Sequence, residues 1–158
     1  MGKSDAERRI DSAARLIAAP AETIYRAFVD GSAWERWLPP AGMIGRVEIF
    51  EPRVGGRYRM VLTYRGDHEN RGKTAENTDI VEGRFIEFAH DEKAVHAVTF
   101  ESEDPAFAGD RRMTWSLSPA PAGTEVTITC ENVPFGISKA DHDVGLRSTL
   151  AKLATFME

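Results

Sequence analysis

The side chains able to do chemistry in this chain are few, and their spacing excludes more than it assigns. The four histidines, His68, His90, His96 and His142, stand far apart, and no His-x-x-x-His or Cys-x-x-Cys pair is present. Metal-ligand spacing is therefore missing, and neither a metal nor another cofactor is expected. His142 and Asp143 are neighbours, but adjacent residues of a helix point apart. There is no glycine-rich phosphate loop; Gly55–Gly56 reads as a hairpin turn. No nucleophile elbow of the Gly-x-Ser-x-Gly kind occurs, and Cys130 alternates in phase with Val126 and Ile128, which points to a buried, inert thiol. No catalytic residue can be assigned.

Charged pairs leave alternatives open. Asp143 and Arg147 stand at i and i+4 on a helical stretch. They form either a surface ion pair worth under about 1 kcal/mol or a charged pair at a cavity mouth that orients the polar tip of a ligand. Asp143 is placed on the inward arc, with Lys139 on the same face. Glu82 and Arg84 share a strand face and look to solvent unless a bulge at Gly83 turns them inward. His96, beside Val95, stands in or out and reads first as a structural histidine.

The elements that must position these groups follow from periodicity. Residues 138–158 read as one long helix, with Leu146, Leu150, Leu153 and Met157 on one face, Ser138 as N-cap and Asp141 three residues on. Its front half is polar and its back half apolar. That suits a sheet packed tightly at one end and open at the other, hence a cavity. Residues 8–18 read as a first strand. Pro20 opens a short helix carrying Ile24, Tyr25, Phe28 and Val29, which Gly31 ends. Ser32 and Glu35 suggest a capping box for a second short helix with Trp34, Trp37 and Leu38, stopped by Pro39–Pro40. From residue 43 the period becomes two. Strands are expected over 43–50, 56–64, 77–89 and 93–101, then around Met113, Trp115 and Leu117, and around Val126, Ile128 and Cys130. Six successive strands with no helix between them make an antiparallel meander, and the C-terminal helix alone is long enough to cover it.

A chain of 158 residues, 42% hydrophobic and 28% charged, suits one globular domain spanning 1–158. The net charge of −5 comes from interspersed acids and bases, so no nucleic-acid or anionic-membrane partner is expected. No apolar run approaches the roughly 18 residues of a membrane span, the N-terminus lacks a signal-peptide pattern, and one cysteine allows no internal disulfide. These readings place the protein in the cytoplasm.

Several segments together, WERWLPPAGM, RVEIFEPRVGGRYRMVLTY, GKTAENTDIVEGRFIEF and the LAKLA of the last helix, resemble the START-like helix-grip (SRPBCC, Bet v 1-like) superfamily. More narrowly they resemble the bacterial branch related to the C-terminal domain of the activator of Hsp90 ATPase. The resemblance covers nearly the whole chain and implies an α+β fold, in which a seven-stranded antiparallel sheet wraps a long C-terminal helix over a cavity, with two short helices between strands 1 and 2. Members include lipid and hydrophobe carriers, polyketide cyclase-like enzymes, self-resistance proteins and co-chaperone domains, so fold alone does not settle function. In the subfamily an aromatic, usually Trp, follows the glycine that is here Gly145; this chain has Leu146, which removes a stacking surface from any pocket lined there.

Together these readings favour binding of a small hydrophobic or amphipathic molecule ahead of a polyketide cyclase-like reaction in the same cavity or a co-chaperone-like interaction with an Hsp90-like chaperone, and leave homodimerisation open. The candidate ligand-binding residues are Trp37, Tyr58, Met60, Tyr64, His96, Phe107, Trp115, Asp143, Leu146, Arg147 and Leu150. In a meander alternate loops share an end. The long stretches 65–76, 102–110 and 131–137, with 39–42, therefore gather at one end, where the mouth is expected, Phe107 serving as lid or as staple.

Overall fold

The structure, a computed structural model, describes residues 9–39, 42–64, 78–100, 111–133 and 136–157. The elements run β1 (Ile10–Ile17), α1 (Ala21–Phe28), α2 (Gly31–Trp37), β2 (Met43–Phe50), β3 (Arg57–Tyr64), β4 (Thr78–Ala89), β5 (Lys93–Phe100), β6 (Arg111–Ala120), β7 (Gly123–Glu131) and α3 (Lys139–Met157). The strands form one antiparallel sheet in the order β1-β7-β6-β5-β4-β3-β2. Six strands follow the chain as a meander, and β1 closes the far side against β7. This is the helix-grip α+β architecture expected from the sequence.

Register shifts between Val47 and Ile49 and between Phe85 and Glu87 bend the sheet. The bulge thus falls after Gly83, not at it. Gly83 serves a different need: a Cβ there would lie 2.3 Å from the Tyr58 hydroxyl and 2.3 Å from the Ala97 carbonyl oxygen. Only a bare backbone lets the Tyr58 ring, reaching from β3, lie across β4.

The helix α3 starts as its sequence suggests. Ser138 Oγ accepts from the Asp141 amide at 3.0 Å. Leu146, Leu150, Leu153 and Ala154 bury its inner face, and Met157 packs at the edge. The second short helix differs from expectation. Its cap is Asp30, whose Oδ1 accepts from the amides of Ser32 at 3.0 Å and Ala33 at 3.4 Å, so the helix starts two residues earlier. Glu35 accepts instead from the Val47 amide at 2.7 Å and ties α2 to β2.

The core is unevenly filled. Trp34 and Trp37 of α2 donate their indole N–H groups to the carbonyls of Phe28 and Ala27, at 3.0 and 3.2 Å. Around them pack Phe28, Phe50, Phe85 and Trp115, with ring centroids 5.1 to 6.4 Å apart. These large rings make one end of the fold solid. The other end, beneath the first turns of α3, is hollow.

Candidate functional site

The hollow is a cavity of about 350 Å³ between the sheet and α3. Leu38, Met43, Met60, Leu62, Tyr64, Val81, Val98, Met113, Ile137 and Leu146 supply most of its wall. Tyr58, Asp79, His96, Arg111, Asp141, His142 and Thr149 add polar groups, and Gly145 completes the helix side. The lining comes from β3, the start of β4, the second half of β5, the start of β6 and the first turns of α3, with Leu38 and Met43 beside them. That is the end where the long connections 65–76 and 102–110 begin and finish. Those connections, Phe107 included, lie outside the described residues.

Two hydrogen-bonded groups give the cavity its polarity. The first begins at Trp115, whose indole N–H donates to His96 Nε2 at 2.8 Å. His96 Nδ1 lies 2.7 Å from the Tyr58 hydroxyl, and that hydroxyl lies 3.5 Å from the Ala97 carbonyl oxygen. His96 is buried, and burial, followed by the nearby Arg111 cation, pushes its pKa down to about 3. It is neutral at any ordinary pH. Burial also pushes the Tyr58 hydroxyl well above its ordinary value, so it remains protonated.

The second group is built on Asp11 of β1. Its carboxylate, 3% exposed, accepts from His142 Nδ1 at 2.6 Å, from Arg9 at 2.6 to 3.2 Å, and from Lys139 at 3.3 Å. Burial opposes the charge, but the donors from Arg9, His142 and Lys139 outweigh it and hold Asp11 well below the usual carboxylate range. Because Asp11 is ionised, His142 donates through Nδ1, and its Nε2 faces Arg111 Nη1 at 3.3 Å. Burial lowers the His142 pKa despite Asp11, so Nε2 carries the lone pair. Arg111 itself is 8% exposed, and burial lowers its pKa from the ordinary value. A strand from the start of the chain, a strand from the middle and the final helix thus meet around one histidine. Arg9 Nη1 also donates to the Ile137 carbonyl and so braces the junction, while farther along α3 Lys152 Nζ reaches the Pro39 carbonyl at 2.6 Å.

The structure sorts the residues singled out in the sequence. Tyr58, Met60, Tyr64, His96 and Leu146 line the cavity. Trp37, Trp115 and Leu150 do not: they are fully or almost fully buried in the packed core, Trp37 among the aromatic rings and Leu150 on the back half of α3. Trp115 reaches the cavity only through His96. Asp143 and Arg147 form an exposed ion pair, 3.0 Å apart, away from the lining. The inward arc of α3 passes through His142, which is buried against Asp11, and not through Asp143. Glu82 pairs with Arg59 at 2.7 Å and Arg84 is exposed, so both look outward. Cys130 is buried, and burial pushes its thiol up to about 11, which removes it as a nucleophile at ordinary pH. Sequence reasoning passed over Asp11, Asp79 and Arg111, and weighed His142 only as a metal ligand beside Asp143. The signal was present: Asp11 is in phase with Ala13 and Ile17, Asp79 with Val81 and Phe85, and Arg111 with Met113, Trp115 and Leu117. A charge at an inward position of a strand marks a built polar site.

Among the described residues, no group of three or more His, Cys, Asp or Glu is placed to hold a metal ion. No helix among them is long and apolar enough to cross a membrane.

A curved antiparallel sheet closed by a C-terminal helix over a lined cavity defines the helix-grip class. Within it, the chain belongs to the family described as activator of Hsp90 ATPase homolog 1-like protein, whose family model matches residues 18–158. No curated protein matches it significantly. Among solved structures it is similar to protein CV1439 from Chromobacterium violaceum, with 29% identity over 94% of this chain and 96% of that one and a TM-score of 0.83. It is also similar to the AHSA1-like protein from Aeromonas hydrophila, with 15% identity over 94% and 91% of the two chains and a TM-score of 0.71. DynU16, a protein of the dynemicin biosynthetic locus, shares 15% identity over 93% of this chain and 46% of its own, with a TM-score of 0.66. At the last two identities the likeness is one of fold.

Proposed function

We propose that the protein binds a small amphipathic molecule in the cavity between the sheet and α3. The observation that carries this is the lining itself: about 350 Å³ walled mainly by methionine, leucine and valine side chains, with Arg111, Asp141 and His142 gathered at the α3 end. A volume of that size suits a ligand of one or two rings or a short acyl chain. The apolar body lies against Met43, Met60, Leu62 and Val98, and the polar end points toward Arg111 and His142. With Asp143 and Arg147 exposed, the buried Arg111, not the outer pair, orients that end.

The test is titration with the anionic amphipath 8-anilinonaphthalene-1-sulfonate, followed by fluorescence. The expected result is saturable one-site binding that Met60→Trp, which fills the space, abolishes without unfolding the chain. Unsaturable binding, or binding that Met60→Trp leaves unchanged, overturns the reading.

An enzymatic use of the same cavity has one observation in its favour, the Asp11–His142 pair. Asp11 fixes the His142 tautomer and leaves Nε2 as a base at the cavity wall. Turnover of a bound compound that falls a hundredfold or more in His142→Gln, with binding retained, would promote that reading over carriage.

A further inference from the structure

The Trp115–His96–Tyr58 chain has a direction that hydrogen-bond bookkeeping determines. The indole N–H of Trp115 is only ever a donor, so His96 Nε2, 2.8 Å away, must be the acceptor. His96 is neutral and carries one ring proton, which therefore sits on Nδ1. Nδ1–H donates to the Tyr58 oxygen at 2.7 Å. Tyr58 cannot donate back along the same line. Its own proton must go elsewhere, and the only acceptor in reach among the described residues is the Ala97 carbonyl, at 3.5 Å, a distance at which a hydrogen bond is weak. Gly83 keeps that position open, since any Cβ there would strike the hydroxyl. The result is a buried tyrosine at the cavity wall, already accepting one strong bond, with its donor under-used.

We propose that Tyr58 is a hydrogen-bond donor to the bound molecule, and that the ligand class is an apolar compound carrying a carbonyl oxygen placed against the sheet floor. The inference rests on the cavity being a binding site and specifies what it selects. His96 and Trp115 are positioning residues: they touch Tyr58 or each other and set the direction in which its proton points. An acceptor oxygen gains a bond that a hydrocarbon of the same shape cannot make, and accepting from His96 polarises the Tyr58 O–H and strengthens what it donates. Arg111, on the same cavity wall, adds a positive potential that favours an oxygen over a donor group at this place. The relay's own members, Trp115, His96 and Tyr58, are all neutral, which fits a neutral ketone, aldehyde or ester.

Two near-isosteric probes separate this proposal from the cavity reading: 2-acetylnaphthalene and 2-isopropylnaphthalene, titrated into the full chain and into Tyr58→Phe. The expected result is that Tyr58→Phe weakens the ketone about three- to tenfold, the size of one neutral hydrogen bond, and changes the hydrocarbon less than twofold. The carbonyl stretch of the bound ketone should lie at lower frequency in the unsubstituted protein than in Tyr58→Phe. Nitrogen-15 spectra of the His96 ring provide a readout that packing alone would not move: a protonated Nδ1 in the unsubstituted protein, shifting toward a protonated Nε2 in Trp115→Phe. That variant should weaken the ketone as Tyr58→Phe does, although Trp115 does not line the cavity. If Trp115→Phe does not fold, the His96 spectrum of the unsubstituted protein and the Tyr58→Phe titrations still decide. A protonated Nε2 in the unsubstituted protein overturns the proposal. So does a ketone bound equally by both proteins while both probes saturate, a result that leaves the cavity reading standing. Failure of both probes to saturate overturns the cavity reading and this proposal together.

Discussion

Replacing Asp11 by alanine should be among the most damaging single changes outside the hydrophobic core. The carboxylate is 3% exposed and accepts from three side chains, Arg9 just before β1 and Lys139 and His142 of α3. The bond from Lys139 contributes little, because that ammonium is 75% exposed. The bond from buried His142 is different: without Asp11 its Nδ1–H stays buried and unpaired, at a cost of about 1–3 kcal/mol. Losing the Arg9 contacts adds about 1–2 kcal/mol, discounted because Arg9 is part-exposed. The sum, about 2–5 kcal/mol, matches what breaking a buried pair usually costs. For a chain of this length it corresponds to a Tm lowered by about 5–20 °C. Asp11→Asn keeps an acceptor for His142 and should lose about half as much. Urea melts of Asp11→Ala, His142→Leu and the double variant form the assay, with a coupling of at least about 1 kcal/mol expected. The pH dependence has a defined sign. Asp11 titrates lower in the folded chain than its ordinary 3.8, so its stabilisation is complete above about pH 4 and disappears as pH falls below that value. The gap between the unsubstituted protein and Asp11→Asn should narrow there. A loss below 1 kcal/mol for Asp11→Ala at pH 7, or no coupling to His142, would refute the reasoning.

His96 predicts a second pH effect: its folded pKa of about 3 lies below the unfolded 6.5, so stability is full above pH 6.5 and falls by up to about 1.4 kcal/mol per unit as pH drops toward 3. His96→Gln should flatten that slope in urea melts between pH 7 and 5; parallel curves would contradict a neutral buried imidazole. Leu150→Ala should cost about 2–5 kcal/mol, since the side chain is 1% exposed, and a loss under 1 kcal/mol in thermal melts would place α3 on the wrong face. Gly83→Ala should displace Tyr58 and lower both stability and ketone-probe affinity, measured together by melting and titration; unchanged affinity would show that Tyr58 does not form the binding floor. Asp143→Ala should change stability by under about 0.5 kcal/mol and leave 8-anilinonaphthalene-1-sulfonate binding within twofold.

Most of the fold was legible because its signals are local and repeated. Alternation over Tyr58, Met60 and Leu62, or over Met113, Trp115 and Leu117, specifies strand and face at once, and the residues bury as the period requires. The C-terminal stripe of Leu146, Leu150 and Leu153 did the same for α3. Errors arose where one local rule competed with another. Ser32 satisfies a capping-box pattern, but Asp30 stands two residues earlier with a carboxylate that reaches two amides, and the stronger acceptor takes the helix start. Glu35, thereby released, bonds to a strand amide twelve residues away, a contact that no local pattern encodes.

The site was legible only in part, because its defining groups are exceptions to the rules that reveal the fold. A periodicity reading discards a charge at an inward position as noise. Yet Asp11, Asp79 and Arg111 each occupy such a position, next to residues that were read correctly. For Asp11 and Arg111 burial is tolerable because a partner arrives from a distant part of the chain: His142 stands 131 residues from Asp11 and 31 from Arg111. Sequence spacing carries no trace of these meetings. The choice between His142 and Asp143 shows the same limit on a smaller scale. Both lie one helical turn before Leu146, at spacings of four and three, and either fits the stripe. What separates them is the partner waiting on β1. A carboxylate at the inward position would face Asp11 across a few ångströms of buried space, whereas an imidazole there donates to it. The acid at position 11 therefore selects the face that α3 turns inward, and with it the group that faces the cavity.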